Sequence, residues 1–351
     1  ASPITVTGLT NGSGVTFTAQ AQNAIGLGKA SDASSSVTPI AEVISSLFST
    51  FVYTGNGNSG RTITNNINLS GKGGLVWSKE RTGNGIGYNA FFDTARGATK
   101  VIYSNVTNAE GTSNGVTAFN SNGFTVGDVG TINADTYRYV TWTFRKQPKF
   151  FDIVTWTGTG SHPRNISHNL GSAPGMILVK NLSDGSDDWV VYHRGIDSSA
   201  PEDYGLFLNL TDARSDNDAF WGDTAPTSTV FTVNGNVTNQ SGQNFVAYLF
   251  AHNNSDGGFG PDSEDIIKCG SYTGNASGTG PEINLGFEPQ WLLVKNADNS
   301  SSDWLLLDVM RGWALGDADL FLETNTSNAE QSSQNWVDIT STGFKITNSN
   351  G

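Results

Sequence analysis

Cysteine, charge and long apolar runs are all scarce in this sequence. It has one Cys and two Met, and charged residues make up 15% of the chain, against roughly 25% in an ordinary globular domain. Cys269 alone cannot form an internal disulfide, and one thiol cannot build a sulfur-based zinc site. No apolar run reaches the length of about 18 residues that a membrane-spanning helix needs, so we expect no membrane insertion. Packing must therefore provide the stability.

Basic residues are especially few. There are 19 Lys and Arg against 32 Asp and Glu, which gives a net charge of −13. Proteins that bind nucleic acid rely on Lys and Arg to displace counterions from phosphates. We therefore expect no nucleic-acid partner.

Glycine and aromatic residues are abundant instead. The chain has 42 Gly, 9 Trp and 19 Phe, and 36% of it is hydrophobic. Disordered chains have too few large apolar groups to offset their ordering entropy, so this chain folds. Short segments of period-two alternation lie between Asn-Gly and Asp-Gly turns, a pattern typical of strands and hairpins. The sequence predicts an all-β protein.

Three copies of one strand pattern follow one another along the chain. Each opens with a strand that ends in Thr-Gly, and these glycines, Gly55, Gly158 and Gly274, lie 103 and 116 residues apart. Solenoid units span only about 20 to 50 residues, so we expect tandem β-sandwich or jelly-roll-like modules, each with its own core. A Lys and an Arg-Gly pair recur in every copy and are interpreted as structural: Lys79 and Arg96, Lys180 and Arg194, Lys295 and Arg311.

The copies define the expected boundaries. We assign residues 50–147 to repeat 1, 148–258 to repeat 2 and 259–351 to an incomplete repeat 3, after a linker at 41–49. The first two copies close with an aromatic strand, Tyr139–Phe144 and Phe245–Phe250, that has no counterpart in the third. This predicts that the sequence is part of a longer polypeptide, with its modules in series as an extended rod.

Residues 1–40 resemble the C-terminal half of a fibronectin type III domain of the bacterial and phage kind. Gly8 to Gly12 match one turn of that pattern, Phe17 its core aromatic, Asn23 and Gly26 the next turn, and Thr38-Pro39 the exit. The resemblance implies a partial β-sandwich module.

The three copies resemble a repeated all-β domain found in structural proteins of marine and cyanobacterial tailed phages. Trp156 to Asn181 and Lys268 to Asn296 carry this resemblance. It implies a location in the virion and no catalytic residue.

No catalytic motif stands out. Gly55 to Gly60 fits G-x-G-x-x-G, but an alternating strand follows where a dinucleotide site needs a helix start, so we predict a hairpin turn. Four scattered histidines are predicted to be surface or turn residues: His162, His168, His193 and His252. We expect no bound organic cofactor and no enzyme activity.

One acidic loop recurs before the aromatic strand of repeats 2 and 3. Several carboxylate oxygens on one loop can hold Ca²⁺, which makes five residues calcium candidates: Asp184, Asp187, Asp188, Asp298 and Asp303. A solvated acidic loop is the favoured alternative.

Eight of the nine tryptophans fall into two groups. Five lie among Val, Leu and Ile in alternating strands and are predicted to be core residues: Trp77, Trp156, Trp189, Trp291 and Trp304. Trp221, Trp313 and Trp336 lie in polar, turn-rich segments, so we predict that they are exposed and able to stack on sugars.

The sequence thus predicts a non-enzymatic phage virion protein: a tail fibre, tail appendage or capsid-surface fibre that contributes to host attachment. Its expected partners are other virion proteins, further copies of itself as a homo-oligomer (a trimer by analogy with phage fibres), and a host-surface glycan. The alternative is a bacterial surface adhesin or carbohydrate-binding module on the cell surface. A polysaccharide depolymerase has the least support.

Overall fold

The computed structural model describes residues 6, 9, 13–24, 26–37, 43–83, 87–255, 259, 264–316 and 318–347. Every pairing between the named strands is antiparallel, and the three described α-helices have four or five residues each. The all-β prediction is confirmed.

The N-terminal segment forms a small ladder in its described part. β1 (Gln22–Asn23) pairs with β2 (Gly26–Leu27) around the predicted turn. Phe17 is 36% exposed, so the prediction that it is a core aromatic is wrong for this chain. Gly8, Thr10 to Gly12 and Thr38-Pro39 lie outside the described residues.

Repeat 1 is a sandwich of a large and a small sheet, in the strand orders β3-β11-β5-β6-β7-β8 and β4-β10-β9. Its elements are β3 (Phe48–Thr54), β4 (Arg61–Thr64), α1 (Leu69–Lys72), β5 (Gly74–Glu80), β6 (Asn89–Asp93), β7 (Lys100–Tyr103), β8 (Gly111–Thr112), β9 (Val116–Asn120), β10 (Gly123–Val126) and β11 (Arg138–Arg145).

Repeat 2 has the same plan, with sheets β12-β19-β14-β15-β16-β17 and β13-β18. Its elements are β12 (Phe151–Thr157), β13 (Arg164–Ser167), β14 (Met176–Asn181), β15 (Val190–His193), β16 (Tyr204–Phe207), β17 (Ser215–Asp216), α2 (Asp218–Trp221), β18 (Val230–Val233), α3 (Gly235–Asn239) and β19 (Asn244–Phe250). We call β11 and β19 the closing strands.

Repeat 3 has a four-stranded large sheet, β21-β22-β23-β24, and a small sheet, β20-β26-β25. Its strands are β20 (Glu282–Asn284), β21 (Trp291–Val294), β22 (Leu305–Asp308), β23 (Asp319–Glu323), β24 (Gln331–Gln334), β25 (Val337–Thr340) and β26 (Gly343–Ile346). Short 3₁₀ turns occur at Ile44–Ser46, Pro201–Asp203 and Val309–Arg311.

Both faces of each large sheet contact apolar partners. In β5, Val76 packs between the two sheets of repeat 1, whereas its neighbours Leu75 and Trp77 point to the opposite face. Alternate residues of a strand lie on opposite faces, so an uninterrupted apolar run is what burial on both sides requires.

The outer faces of the three large sheets meet in one hydrophobic cluster, which we call the shared core. It contains Trp142 from repeat 1, Tyr248 from repeat 2 and Leu306 from repeat 3, all fully buried. Each repeat also has its own smaller cluster between its two sheets. Each repeat therefore has a core of its own, as predicted, but the predicted arrangement of the modules in series as an extended rod is wrong, because the repeats pack against one another around the shared core.

The glycine segment after β3 is a crossover, not the predicted hairpin. Gly55 to Gly60 connects β3 in the large sheet to β4 in the small sheet. A Cβ on Gly55 would lie 1.9 Å from the carbonyl oxygen of Ala134, and one on Gly158 would lie 2.0 Å from that of Gln240. The recurrent glycine allows two backbone segments to approach closely.

Candidate functional site

The junctions between repeats are built from equivalent residues. Three backbone hydrogen bonds, which we call the junction bonds, connect residues at the same position of each copy. They run from Glu110 N–H to Leu182 C=O (2.9 Å), from Arg214 N–H to Ala297 C=O (2.7 Å) and from Glu330 N–H to Arg81 C=O (3.2 Å). Repeat 1 therefore contacts repeat 2, repeat 2 contacts repeat 3, and repeat 3 contacts repeat 1. The contacts form a closed cycle within one chain.

A side-chain donor at each junction follows the same cycle. Trp189 donates its indole N–H to Tyr103 C=O and Trp304 donates to Phe207 C=O, both at 2.9 Å. Repeat 1 has Asn89 at the equivalent position, and its side-chain amide donates to Glu323 C=O at 3.3 Å. The recurrent tryptophans therefore bind a neighbouring repeat as well as filling a core.

An asparagine fixes each donor in place. The side-chain oxygens of Asn105, Asn209 and Asn325 accept the backbone N–H of Asn89, Trp189 and Trp304 respectively, at 2.9 to 3.0 Å. These asparagines are structural, and each lies two residues after the carbonyl that accepts the donor of the next repeat.

The closing strands supply a second set of contacts between repeats. Trp142 on β11 donates to the carboxylate of Asp308 at 2.9 Å, and Tyr248 on β19 donates to that of Asp93 at 2.7 Å. Both carboxylates are fully buried, and each also pairs with the arginine three residues later, Arg311 or Arg96. Charge-assisted bonds of this kind are about twice as strong as neutral ones.

The recurrent lysines are structural, as predicted, and bind backbone carbonyls. Lys79 contacts Gly87 C=O and, across a junction, Thr326 C=O, and Lys295 reaches Thr211 C=O in repeat 2. Lys180 binds Asp187 C=O within its own repeat at 2.8 Å. Burial lowers the pKa of Lys79 and of Lys180 to about 8, because desolvation disfavours the charged ammonium.

The acidic loops use their carboxylates for local hydrogen bonds. Asp187 accepts from Asn181, Asp188 from Asn209 and Asp303 from Asn325, each at 2.7 Å. Asp184 accepts from Ser186, and Asp298 lies 3.3 Å from Arg214. Among the described residues, no three His, Cys, Asp or Glu side chains lie close enough together to hold a metal ion.

Two of the three tryptophans predicted to be exposed are buried. Trp221 and Trp313 are each 2% exposed, and their indole N–H groups donate to Tyr204 C=O and Val337 C=O. Their prediction as surface sugar-binding residues is wrong, because polar turns in this fold cover small sandwich cores. Trp336 is half-buried and packs on Phe321, with 4.7 Å between ring centroids.

Two of the histidines and the cysteine occupy buried or half-buried structural positions. Leu170 N–H donates to Nδ1 of His168, which is buried rather than on the surface, and Gly195 N–H donates to Nδ1 of half-buried His193. Burial, then Arg194 and His252, lowers the pKa of His193 to about 4. Burial raises the pKa of Cys269 to about 12, so its thiol is a poor nucleophile.

Residues 44–351 match a domain of unknown function, DUF7483. The chain belongs to the DUF7483 family. No curated protein and no solved structure matches the chain. The DUF7483 region begins at the 3₁₀ turn before β3 and contains all three repeats, so the match covers the whole cycle of junctions. Within its described residues, no helix is long and apolar enough to cross a membrane.

Proposed function

We propose that this protein is a non-enzymatic structural component of a tailed-phage virion, in a tail fibre, tail appendage or capsid-surface fibre. The observation that carries the proposal is the closed cycle of junctions. The residues that recur in the three copies, such as Trp189 and Trp304, hold one repeat to the next. Repetition of cohesive contacts is what a scaffold requires, whereas an enzyme needs reactive groups gathered at one place.

Two further observations support a virion role. The three repeats resemble a domain of tailed-phage structural proteins, and a segment resembling fibronectin type III precedes them. The cycle also gives one chain the contacts of a cyclic trimer, in which each junction joins different surfaces of two neighbours. Such a unit suits a compact head or collar along a fibre better than the extended rod expected from the sequence.

Cryo-electron microscopy of purified particles tests the proposal. A Strep tag at the N-terminus of the protein, labelled with gold, should mark one class of surface site on the particle. An untagged particle is the control for background gold. A protein that remains in the lysate and is absent from gradient-purified particles would contradict the proposal.

Carbohydrate recognition, as in an adhesin, is the second candidate, and Trp336 is the residue that favours it. Its ring packs beside Phe321 and is partly exposed, so part of it is accessible to a sugar. A glycan array should then show binding that Trp336→Ala abolishes and that Leu315→Ala, at an exposed apolar side chain, retains. Equal signals for the two variants would remove this candidate.

A further inference from the structure

The large sheet of repeat 3 differs from the other two at one edge. In repeat 1 the closing strand β11 lies between β3 and β5, and in repeat 2 β19 lies between β12 and β14. The sheet of repeat 3 begins at β21, which corresponds to β5 and β14, and no strand among the described residues pairs with its outer edge. An unpaired edge exposes a row of backbone donors and acceptors.

The surroundings of this edge are also incomplete. All seven residues of β5 and all six of β14 are buried, whereas the four residues of β21 are each only partly buried. Residues 267–273 correspond in sequence to β3 and β12 but form no strand. We call the unpaired outer edge of β21 the third groove.

The two filled grooves show what such a space holds. Their occupants are antiparallel strands with alternate apolar side chains in the shared core: Val140, Trp142 and Phe144, or Val246, Tyr248 and Phe250. The central aromatic residue of each occupant reaches Asp308 or Asp93 of another repeat. The residue of repeat 2 at the position equivalent to Asp93 and Asp308 is His193.

We propose that the third groove binds one antiparallel strand of this type, supplied by the same polypeptide and joined to β26 by a connection of about ten residues. The filled grooves indicate that source: 11 residues separate β10 from β11, and 10 separate β18 from β19. The central residue of the strand accepts a hydrogen bond. Nδ1 of His193 already accepts from Gly195 N–H, which leaves the proton of the neutral ring on Nε2 as a donor. A tyrosine oxygen can accept it, and an indole cannot.

A graft tests the proposal. Residues 234–250 of repeat 2, which include the connection, β19 and Tyr248, are attached directly after Ile346 in place of residues 347–351. Hydrogen exchange should then show roughly tenfold or greater added protection of those backbone amides between Trp291 and Val294 that point away from β22, because alternate residues of an antiparallel strand bond to opposite neighbours and only these amides gain a partner. The melting temperature should rise as well.

The matched control is the same graft with Ser at the copied positions of Val246, Tyr248 and Phe250, which keeps the tether and the backbone but removes the apolar face. As an independent measurement, a synthetic peptide of residues 243–251 added at millimolar concentration to the ungrafted chain should protect the same amides. Equal exchange in graft and control, with no effect of the peptide, overturns the proposal. Protection in the ungrafted chain that grows with protein concentration also overturns it, because a second copy would then fill the groove, with Val15 to Ala19 as the segment of similar alternation.

Discussion

Buried carboxylates at the junctions carry more than one bond each. Asp308 accepts from the indole of Trp142 in repeat 1, and from both the backbone and the guanidinium of Arg311 in its own repeat. Arg311 is itself 3% exposed. Removal of the carboxylate would leave a buried cation with fewer partners, and this penalty generally exceeds the net value of the original pair.

Asp308→Ala should therefore lower the free energy of unfolding by about 3 to 5 kcal/mol. Urea titration followed by tryptophan fluorescence measures the change. Asp216→Ala, at an exposed aspartate at the edge of repeat 2, is the control and should change stability by no more than about 0.5 kcal/mol. A similar small effect for both variants would show that the Asp308 contacts add little.

Stability should depend on pH through His193. Its pKa is about 4 in the folded chain, below the roughly 6.5 expected when unfolded. The unfolded state therefore binds the proton first, and the stabilisation present above about pH 6.5 is lost as the pH falls towards 4.

Between pH 7 and pH 5 the unmodified chain should lose about 1 kcal/mol more stability than His193→Gln, a moderate value because the ring is partly exposed. Urea midpoints of both proteins at the two pH values give the difference. His162→Gln, at an exposed histidine, should keep the slope of the unmodified chain. If His193→Gln keeps that slope too, the ring is not shielded from solvent.

At the scale of elements, strand identity follows from local pattern and sheet assignment does not. Period-two alternation and turn residues predict that Gly55 ends a strand and that a turn follows. The six residues from Gly55 to Gly60 do not show that the next strand joins a different sheet. That choice depends on the segment before β11, some 80 residues later in the chain. The carbonyl of Ala134, against which Gly55 packs, belongs to that distant segment.

Gly55→Ala should therefore destabilise the protein by about 1 to 3 kcal/mol, since the new methyl group would force apart two backbone segments. Gly270→Ala is the matched control: a Cβ there meets nothing within 4 Å, and its backbone has no positive φ. Thermal melts compare the two. A Gly55 variant as stable as the Gly270 variant would mean that the crossover loop can move away from Ala134 freely.

The sequence indicates that the large sheets are buried on both faces, but this pattern is easily attributed to one core within each repeat. The runs Leu75-Val76-Trp77 and Met176 to Val179 are apolar without interruption, which is typical of strands covered on both sides. The covering partner is another repeat, and the junction donors, Trp189 and Trp304, recur only twice because repeat 1 has Asn89 at the same register. A single sequence does not distinguish such a donor from an ordinary core tryptophan.

At the scale of the molecule, the shared core makes the three repeats interdependent. Tandem modules with private cores unfold separately, whereas repeats that bury a common apolar face lose that burial together. Val246, Tyr248 and Phe250 of repeat 2 all point into the shared core, and Trp189 also contacts repeat 1. An isolated repeat would expose these side chains to water.

Calorimetry of residues 44–351 should thus show one cooperative transition. A fragment of residues 148–258 should show none, and it should bind a hydrophobic dye such as ANS.

Trp142→Ala in the DUF7483 region removes a large side chain of repeat 1 from the shared core. The backbone amides of β22 in repeat 3 should then exchange faster, as should those of repeat 1. Trp156→Ala is the comparison for these exchange rates, because its ring packs in the smaller cluster between the two sheets of repeat 2. Accelerated exchange confined to repeat 1 after Trp142→Ala, or a stable fragment of residues 148–258, would show that the cycle joins three independent domains.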